Sequence, residues 1–125
     1  MADPRHDLGE RAEQAVAAWL TSAGWRVLAR RWRVPEGELD IVALDTAGTL
    51  VAVEVRARRT ARTGAAGESV DRRHLRRLRA ALGRYAAQAA AGHTGLRVDL
   101  VTLTPVNGEA GSRWRATRLE SVDGW

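Results

Sequence analysis

Two apolar stretches decide the fold: ELDIVAL at residues 38–44 and LVAVEVR at residues 50–56. Both are short and rich in branched side chains, and the segment DTAG at 45–48 between them has the composition of a turn. The pattern predicts a hairpin made of two central strands. Each strand also carries an acidic residue inside its apolar run, Asp40 in the first and Glu54 in the second.

These two acidic residues need a compensating partner, because a buried carboxylate is costly unless it is paired, hydrogen-bonded or bound to a metal. If the hairpin register brings Asp40 beside Glu54, two hard oxygen donors meet, which suits Mg²⁺ or Mn²⁺. Arg56 faces the same way as Glu54 and would set a cation beside a phosphodiester. The alternative is a set of ordinary ion pairs, in which Glu54 pairs with Arg56 or Arg58 and Asp40 with a helix arginine.

Strand alternation assigns faces to the neighbouring polar residues. Glu38, Asp40 and Val42 are expected on one side of their strand. Glu38 is therefore a candidate second ligand, although an arginine partner would serve it equally well. Asp99 lies inside another apolar run, and its favoured role is structural pairing with Arg97 or with a loop backbone.

The rest of the chain predicts two helices and further strands around the hairpin. The first helix is expected to stop at Gly24 and the second at Gly92, where glycine permits a left-handed cap. Trp19, Trp25 and Trp114 fit core positions. In chain order, the predicted elements are a helix at 8–23, strands at 25–32, 38–44 and 50–56, a basic loop at 58–69, a helix whose apolar stripe runs over 75–89, and strands at 96–103 and 113–119, the last at a sheet edge.

Charge composition narrows the classes of function. All 20 basic residues are arginine, and cysteine is absent, which excludes Schiff-base lysines, a phosphate-loop lysine and thiolate nucleophiles. The three histidines show no zinc-site spacing; His74 is a candidate proton-transfer group. Residues 56–79 hold nine arginines against two acidic residues, which predicts a polyanionic partner. The candidate nucleic-acid contacts are Arg58, Arg59, Arg62, Arg72, Arg73, Arg76 and Arg77.

Length and composition favour one domain spanning residues 1–125. No apolar run is long enough for a membrane span, and the polar start of the chain lacks the apolar core of a secretory signal. We therefore expect a cytoplasmic protein without membrane contact.

Several motifs together resemble the YraN family, which is similar to archaeal Holliday-junction resolvases within the restriction-endonuclease-like, PD-(D/E)XK nucleases. The motifs are Gly9-Glu10, GELDIV at 37–42, VAVEVRAR at 51–58, Thr63-Gly64 and RVDLV at 97–101. The resemblance implies a restriction-endonuclease-like α/β fold with an αβββαβ core over about 8–104, a mixed central sheet flanked by helices, and a C-terminal edge strand and tail at 105–125. It also implies a catalytic site at Glu10, Asp40, Glu54 and Arg56, with Mg²⁺ or Mn²⁺ on Asp40 and Glu54.

Two of these site residues, Glu10 and Arg56, are less well supported than the other two. Helical periodicity does not favour Glu10, and Arg56 departs from the family pattern. Helical periodicity turns Glu10 away from the apolar stripe, so the resemblance alone brings it to the site. The nuclease pattern has lysine where this chain has Arg56, and arginine can neutralise a phosphate but is a very poor base. A divalent cation can still acidify the attacking water. The loss of lysine throughout the chain also gives a compositional reason for this arginine.

The leading hypothesis is a magnesium-dependent endonuclease acting on DNA, with branched DNA favoured through the resemblance to resolvases. The alternatives are a non-catalytic nucleic-acid-binding module and an RNA- or ribosome-associated basic protein. A homodimer would suit a two-fold branched substrate. A recombination helicase is a conceivable partner from the resemblance, without support in these residues.

Overall fold

The computed structural model describes residues 4–58, 71–89, 92–106 and 113–122. Within these ranges the elements are α1 (Pro4–Ser22), β1 (Arg26–Val34), β2 (Gly37–Leu44), β3 (Leu50–Ala57), α2 (Arg72–Gln88), β4 (Leu96–Pro105) and β5 (Trp114–Leu119). The predicted order α-β-β-β-α-β-β is confirmed. Of the predicted basic loop only Arg58 lies in the described ranges, so Arg59 and Arg62 fall outside them. Among the described residues no helix combines the length and apolar character needed to span a membrane.

The strands form one mixed sheet with the order β1-β2-β3-β4-β5. The predicted hairpin is present, because β2 pairs antiparallel with β3 from Leu44↔Leu50 to Ile41↔Val53. Strands β3 and β4 run parallel, as they must when a helix crosses between them, and β5 returns antiparallel at the edge. The α/β core implied by the resemblance, a mixed sheet flanked by helices, is therefore confirmed.

Each face of the sheet is covered by one helix. The face under α1 buries Ala12, Val16 and Leu20 of the helix against Ile41, Ala43, Val51, Val53, Val101 and Leu103 of the sheet. The face under α2 buries Leu78, Ala81 and Leu82 against Leu39, Val42, Leu50, Ala52 and Val98. Apolar side chains cover both faces of the sheet, so the sequences of β2, β3 and β4 are nearly continuous apolar runs. A charged side chain within them needs a hydrogen bond, an ion pair or a change of protonation to offset the cost of burial.

The alternation of faces along β2 breaks at Asp40. Leu39 and Val42 both pack under α2, whereas Ile41 packs under α1. Glu38 and Asp40 line a cleft beside α1. The prediction that Glu38, Asp40 and Val42 share one face is therefore wrong, because an uninterrupted period of two does not hold across this position.

The cause lies opposite, on β1. The register pairs Arg30 with Ile41 and Trp32 with Leu39, which leaves Arg31 across from Asp40. Arg31 has φ 51, in the left-handed region that costs a non-glycine residue about 1 kcal/mol or more. Its neighbours consequently face opposite sides: Arg30 reaches toward α1, and Trp32 packs under α2.

The tryptophans only partly follow the sequence prediction. Trp25 and Trp114 pack against the buried cluster under α1. The prediction that Trp19 is a core residue is wrong, since its side chain is 44% exposed. It lies at the rim of a groove with Trp114 and Leu103, beside the buried stripe of α1 and not within it.

Candidate active site

Asp40 and Glu54 meet where the β2–β3 ladder ends. The last paired residues are Ile41 and Val53, and one further step of the register sets Asp40 opposite Glu54. At this point a side chain replaces the main chain as acceptor, because the Val55 amide donates to Oδ2 of Asp40 at 2.8 Å. The hydrogen bond fixes the Asp40 carboxylate between the two strands.

The two carboxylates share an environment that disfavours charge. Burial, and then the charge of Glu54, raise the pKa of Asp40 to about 7, against the lowering effect of the Val55 hydrogen bond. Burial also raises the pKa of Glu54, which is 9% exposed; Arg56 and a hydrogen bond with Asp40 act in the other direction. The pair therefore shares a proton near neutral pH, as two close carboxylates without a cation between them do.

Arg56 and His74 stand beside Glu54 without hydrogen-bonding to it. Arg56 Nη2 and His74 Nε2 both lie 3.7 Å from Glu54 Oε1, which is longer than a hydrogen bond. Arg56 Nε and His74 Nε2 are also buried, and among the described residues neither has a hydrogen-bond partner. Burial and the neighbouring Arg56 lower the pKa of His74, so its imidazole is neutral at pH 7. Two buried nitrogen atoms near Glu54, Arg56 Nε and His74 Nε2, are thus left available for a further hydrogen bond within the described part of the chain.

The alternative of ordinary ion pairs holds in part, because Arg56 forms a long ion pair with Glu54 at 3.7 Å. Among the described residues Asp40 forms no ion pair, and Glu54 has only the two long contacts with Arg56 and His74. The prediction that a helix arginine neutralises Asp40 is wrong. Its compensation comes from the Val55 amide and from protonation.

The donor chemistry of the pair fits a hard divalent cation. Both groups are carboxylates, and the pKa of Asp40 is raised by burial and by the charge of Glu54, a cost that a bound cation would offset. Within the described ranges no three or more histidine, aspartate and glutamate side chains are gathered as a metal site. The protein would therefore supply two side-chain ligands, and the remaining positions would go to water and substrate, as Mg²⁺ commonly accepts.

Glu10 lies on the α1 side of Asp40. It lines a cleft of about 300 Å³ together with Asp40 and Glu38. Oε1 of Glu10 accepts a hydrogen bond from Arg31 Nη2 at 3.0 Å, and Glu38 pairs with Arg33. The structure thus brings Glu10 near the site but ties it to an arginine, and the arginine partner considered for Glu38 is present.

Glu13 is a member of this region that sequence reasoning missed. It is only 7% exposed, and its Oε1 accepts hydrogen bonds from Arg30 Nη2 at 3.1 Å and Arg31 Nε at 3.3 Å. Its charge contributes to raising the pKa of both Asp40 and Glu54. The available signal was its position three residues before Val16, within the stripe that α1 buries.

The basic start of α2 lies on the Glu54 side of the sheet. Asp71 caps the helix, and its Oδ1 accepts from the His74 amide at 2.8 Å, which fixes the first turn. The remaining candidate contacts on this helix are exposed and form no salt bridge within the described residues: Arg72, Arg73, Arg76 and Arg77. Arg58, at the end of β3, is half-buried, and its amide donates to Leu103 O at 2.8 Å.

Asp99 has the structural role that its sequence context predicted. It is fully buried, and its two oxygens accept from Arg97 at 2.9 Å and from Arg118 at 3.1 Å. Arg97 Nη2 donates a further hydrogen bond at 3.2 Å, and the backbone amide of Ser121 donates another at 3.1 Å. Both predicted partners, Arg97 and a loop backbone, are confirmed, and Asp99 takes no part in the Asp40–Glu54 site.

The fold and this site define a class: small α/β proteins with a buried pair of carboxylates at the end of a central hairpin and an arginine-rich helix beside it. Residues 12–103 match the family described as "Uncharacterised protein family UPF0102". A UPF0102 protein of Beutenbergia cavernae is 41% identical over 117 residues, covering 94% of this chain and 93% of the relative. A UPF0102 protein of Symbiobacterium thermophilum is 41% identical over 98 residues, covering 78% and 82%.

A UPF0102 protein of Deinococcus radiodurans is 40% identical over 116 residues, which cover 93% of this chain and 91% of the relative. The chain belongs to the UPF0102 family. The resemblance to the YraN family is thereby confirmed, since the two names denote the same family.

Proposed function

We propose that this protein is a divalent-cation-dependent phosphodiester hydrolase that acts on nucleic acid, with DNA favoured over RNA. The observation that carries the proposal is the buried Asp40–Glu54 pair, in which burial, and then the charge of Glu54, raise the pKa of Asp40 to about 7. Sites that shift a pKa by desolvation together with a like charge are frequently functional.

In this proposal the two carboxylates act together as ligands of one kind of cation. Asp40, oriented by the Val55 amide, and Glu54 would hold Mg²⁺ or Mn²⁺. Such a cation, when bound, acidifies a water molecule and offsets charge on a phosphate. The cation would also remove the reason for the two carboxylates to share a proton, so binding and deprotonation of Asp40 occur together.

Arg56 and His74 would act on the substrate. The buried Nε of Arg56 has no hydrogen-bond partner within the described part of the chain, so it can donate to a phosphate oxygen and stabilise the negative charge that develops in the transition state. Arginine stays protonated, so it does not serve as the base. His74 is neutral and presents a buried Nε2 without a hydrogen-bond partner, which suits it to bond with the attacking water or the leaving oxygen.

The choice of nucleic acid as substrate rests on the arginines beside the site. Arginine binds phosphate through paired hydrogen bonds, and α2 presents four exposed guanidiniums within its first two turns. Branched DNA is proposed through the resemblance to resolvases alone, and a homodimer would match the two-fold symmetry of such a substrate.

A second candidate is a nucleic-acid-binding protein without turnover. Two observations favour it: the described residues gather only two carboxylates at the site, and Arg56 stands where the nuclease pattern has lysine. An RNA- or ribosome-associated protein would use the same arginines, and competition between DNA and RNA at a fixed salt concentration separates these partners.

Cleavage of labelled four-way junctions and linear duplexes, with Mg²⁺, with Mn²⁺ or with a chelator, tests the proposal. We expect metal-dependent cleavage by the wild type, no cleavage by Asp40→Asn or Glu54→Gln, and a loss of about 100-fold or more in Arg56→Gln. Glu120→Gln is the matched control, because Glu120 is an exposed acid whose partner is Arg118. Cleavage that survives in Asp40→Asn contradicts the proposal. Binding without cleavage in both the wild type and Arg56→Lys identifies the non-catalytic module.

A further inference from the structure

A groove of about 570 Å³ separates the β1–β2 turn from α2. One wall is formed by the turn at Pro35, Glu36 and Gly37, and the other by Arg73, Arg76 and Arg77. We call it the arginine groove. It is distinct from the cleft beside α1 that Asp40 and Glu10 line.

The three arginines of this groove differ from most arginines of the sheet. Arg30 and Arg31 are neutralised by Glu13, and Arg97 by Asp45 and Asp99. In contrast, the three groove arginines form no salt bridge within the described ranges, and all three are exposed. Three uncompensated guanidiniums around one concave surface repel one another, and an anion in the groove relieves that repulsion.

The one carboxylate in the groove wall is already engaged. Both oxygens of Glu36 accept from Arg84 Nε, at 2.9 and 3.0 Å, and Arg84 Nη2 also donates to this carboxylate. The hydrogen bond with Arg84 lowers the pKa of Glu36, so the pair stays ionised. Glu36 is thus held by a neighbour outside the groove lining, and the positive charge of the groove is left for a ligand.

The arginine groove adjoins the carboxylate pair. His74, which lies 3.7 Å from Glu54, precedes Arg77 by one helical turn, an axial rise of about 4.5 Å. The Cβ of Arg77 in turn lies 4.0 Å from the position of a Cβ on Gly37, so α2 and the turn are close there. Both features therefore lie along the first turns of α2, and a strand with one phosphate at Glu54 would continue past the groove.

We infer that the arginine groove binds a phosphate of the nucleic-acid strand that flanks the phosphate at the Asp40–Glu54 site, through Arg73, Arg76 and Arg77. The inference rests on the proposed function, to which it adds a requirement for substrate on one side of the cleaved bond. The residues that line the groove include no aromatic side chain, so it contacts the backbone and does not stack on bases. Binding there is independent of base sequence.

Equilibrium binding in the presence of a chelator tests the groove without cleavage. A short fluorescently labelled duplex is titrated by anisotropy at several salt concentrations with the wild type and with the Arg73→Gln, Arg76→Gln, Arg77→Gln triple variant. The control triple variant, with Arg26, Arg113 and Arg115 changed to glutamine, loses the same charge from exposed arginines elsewhere.

We expect the groove variant to bind at least about tenfold more weakly than the control variant, and the slope of log K against log salt to become shallower by about 2 to 3. The control variant is expected to change this slope by less than about 1. Equal losses in the two triple variants would overturn the inference, because general charge would then explain binding. Displacement of the duplex by inorganic phosphate at constant ionic strength would also overturn it, since the groove would then be a pocket for the free anion.

A comparison of substrates separates this inference from the proposed function. If the wild type cleaves DNA, the groove variant should show a raised KM for DNA, and its KM for bis(p-nitrophenyl) phosphate, which has no flanking phosphate, should rise less. A groove variant that cleaves DNA like the wild type refutes the groove and leaves the nuclease proposal standing. If no protein cleaves, the nuclease proposal fails, whereas the binding experiment still decides whether the groove holds a strand.

Discussion

Replacement of Asp40 by asparagine is expected to stabilise the metal-free protein above neutral pH. Asparagine has nearly the same shape and keeps a carbonyl oxygen that can accept the hydrogen bond from the Val55 amide. It removes only the charge that burial and Glu54 disfavour. The substitution thus isolates the electrostatic cost of the carboxylate pair from its packing.

The magnitude follows from the pKa of Asp40. This pKa rises from 3.8 to about 7 on folding, and a tenfold change in a proton-binding constant corresponds to about 1.4 kcal/mol. The folded state therefore holds an extra proton between these values, and stability from this group is fully present below the unfolded pKa and is lost as the pH rises through about 7. Part of the free energy belongs to Glu54, so we expect Asp40→Asn to gain about 2 to 4 kcal/mol at alkaline pH.

Urea unfolding monitored by tryptophan fluorescence, at about pH 5 and about pH 8.5, measures the difference. The lowered pKa of His74 acts with the opposite sign, adding stability as the pH rises, and Asp40→Asn lowers this pKa further because the charge of Asp40 raises it. Mg²⁺ or Mn²⁺ should recover the lost stability in the wild type and leave Asp40→Asn unchanged. Equal stabilisation of the variant at both pH values, or no stabilisation at either, would refute the reasoning.

Substitutions at three further positions test the helix cap, the buried ion pairs and the core, each by urea unfolding. Asp71→Ala removes the cap of α2 and should cost about 1 kcal/mol, while Asp71→Asn should cost much less; equal costs would contradict the capping role. Asp99→Ala leaves two guanidiniums beside a fully buried position and should cost about 3–5 kcal/mol, so a loss below about 1 kcal/mol would show that these ion pairs contribute little. Leu82→Ala opens a cavity under α2 and should cost about 2–5 kcal/mol, and a neutral effect would mean that the helix collapses into the space.

The sequence was sufficient to place Asp40 beside Glu54 because the hairpin leaves little freedom. Two apolar runs separated by a short turn have one register that buries both, and a slip by one residue would turn every side chain to the other face. Asp99 was also predictable, because Arg97 precedes it by two residues on the same strand face.

The remaining features depend on contacts that the two-residue period of a strand and the 3.6-residue period of a helix do not encode. The left-handed backbone at Arg31 turns the side chains before and after it to opposite faces of the sheet. In this conformation its guanidinium hydrogen-bonds to Glu10 and Glu13. Trp19 satisfies the helical period approximately, but its rotation from Leu20 places it at the edge of the sheet, where it is exposed. The 3.7 Å between Arg56 Nη2 and Glu54 Oε1 is likewise a side-chain distance that the strand period does not specify.

The hydrogen bond that orients the Asp40 carboxylate comes from a main-chain amide. The orientation therefore does not depend on which side chain residue 55 carries. Every amino acid except proline offers the same N–H at that position, so substitutions of Val55 alter the packing under α1 but leave the carboxylate pointed where it is. Proline alone would release it. A random change in the gene is therefore far less apt to misdirect this carboxylate than it would be if a neighbouring side chain held it in place.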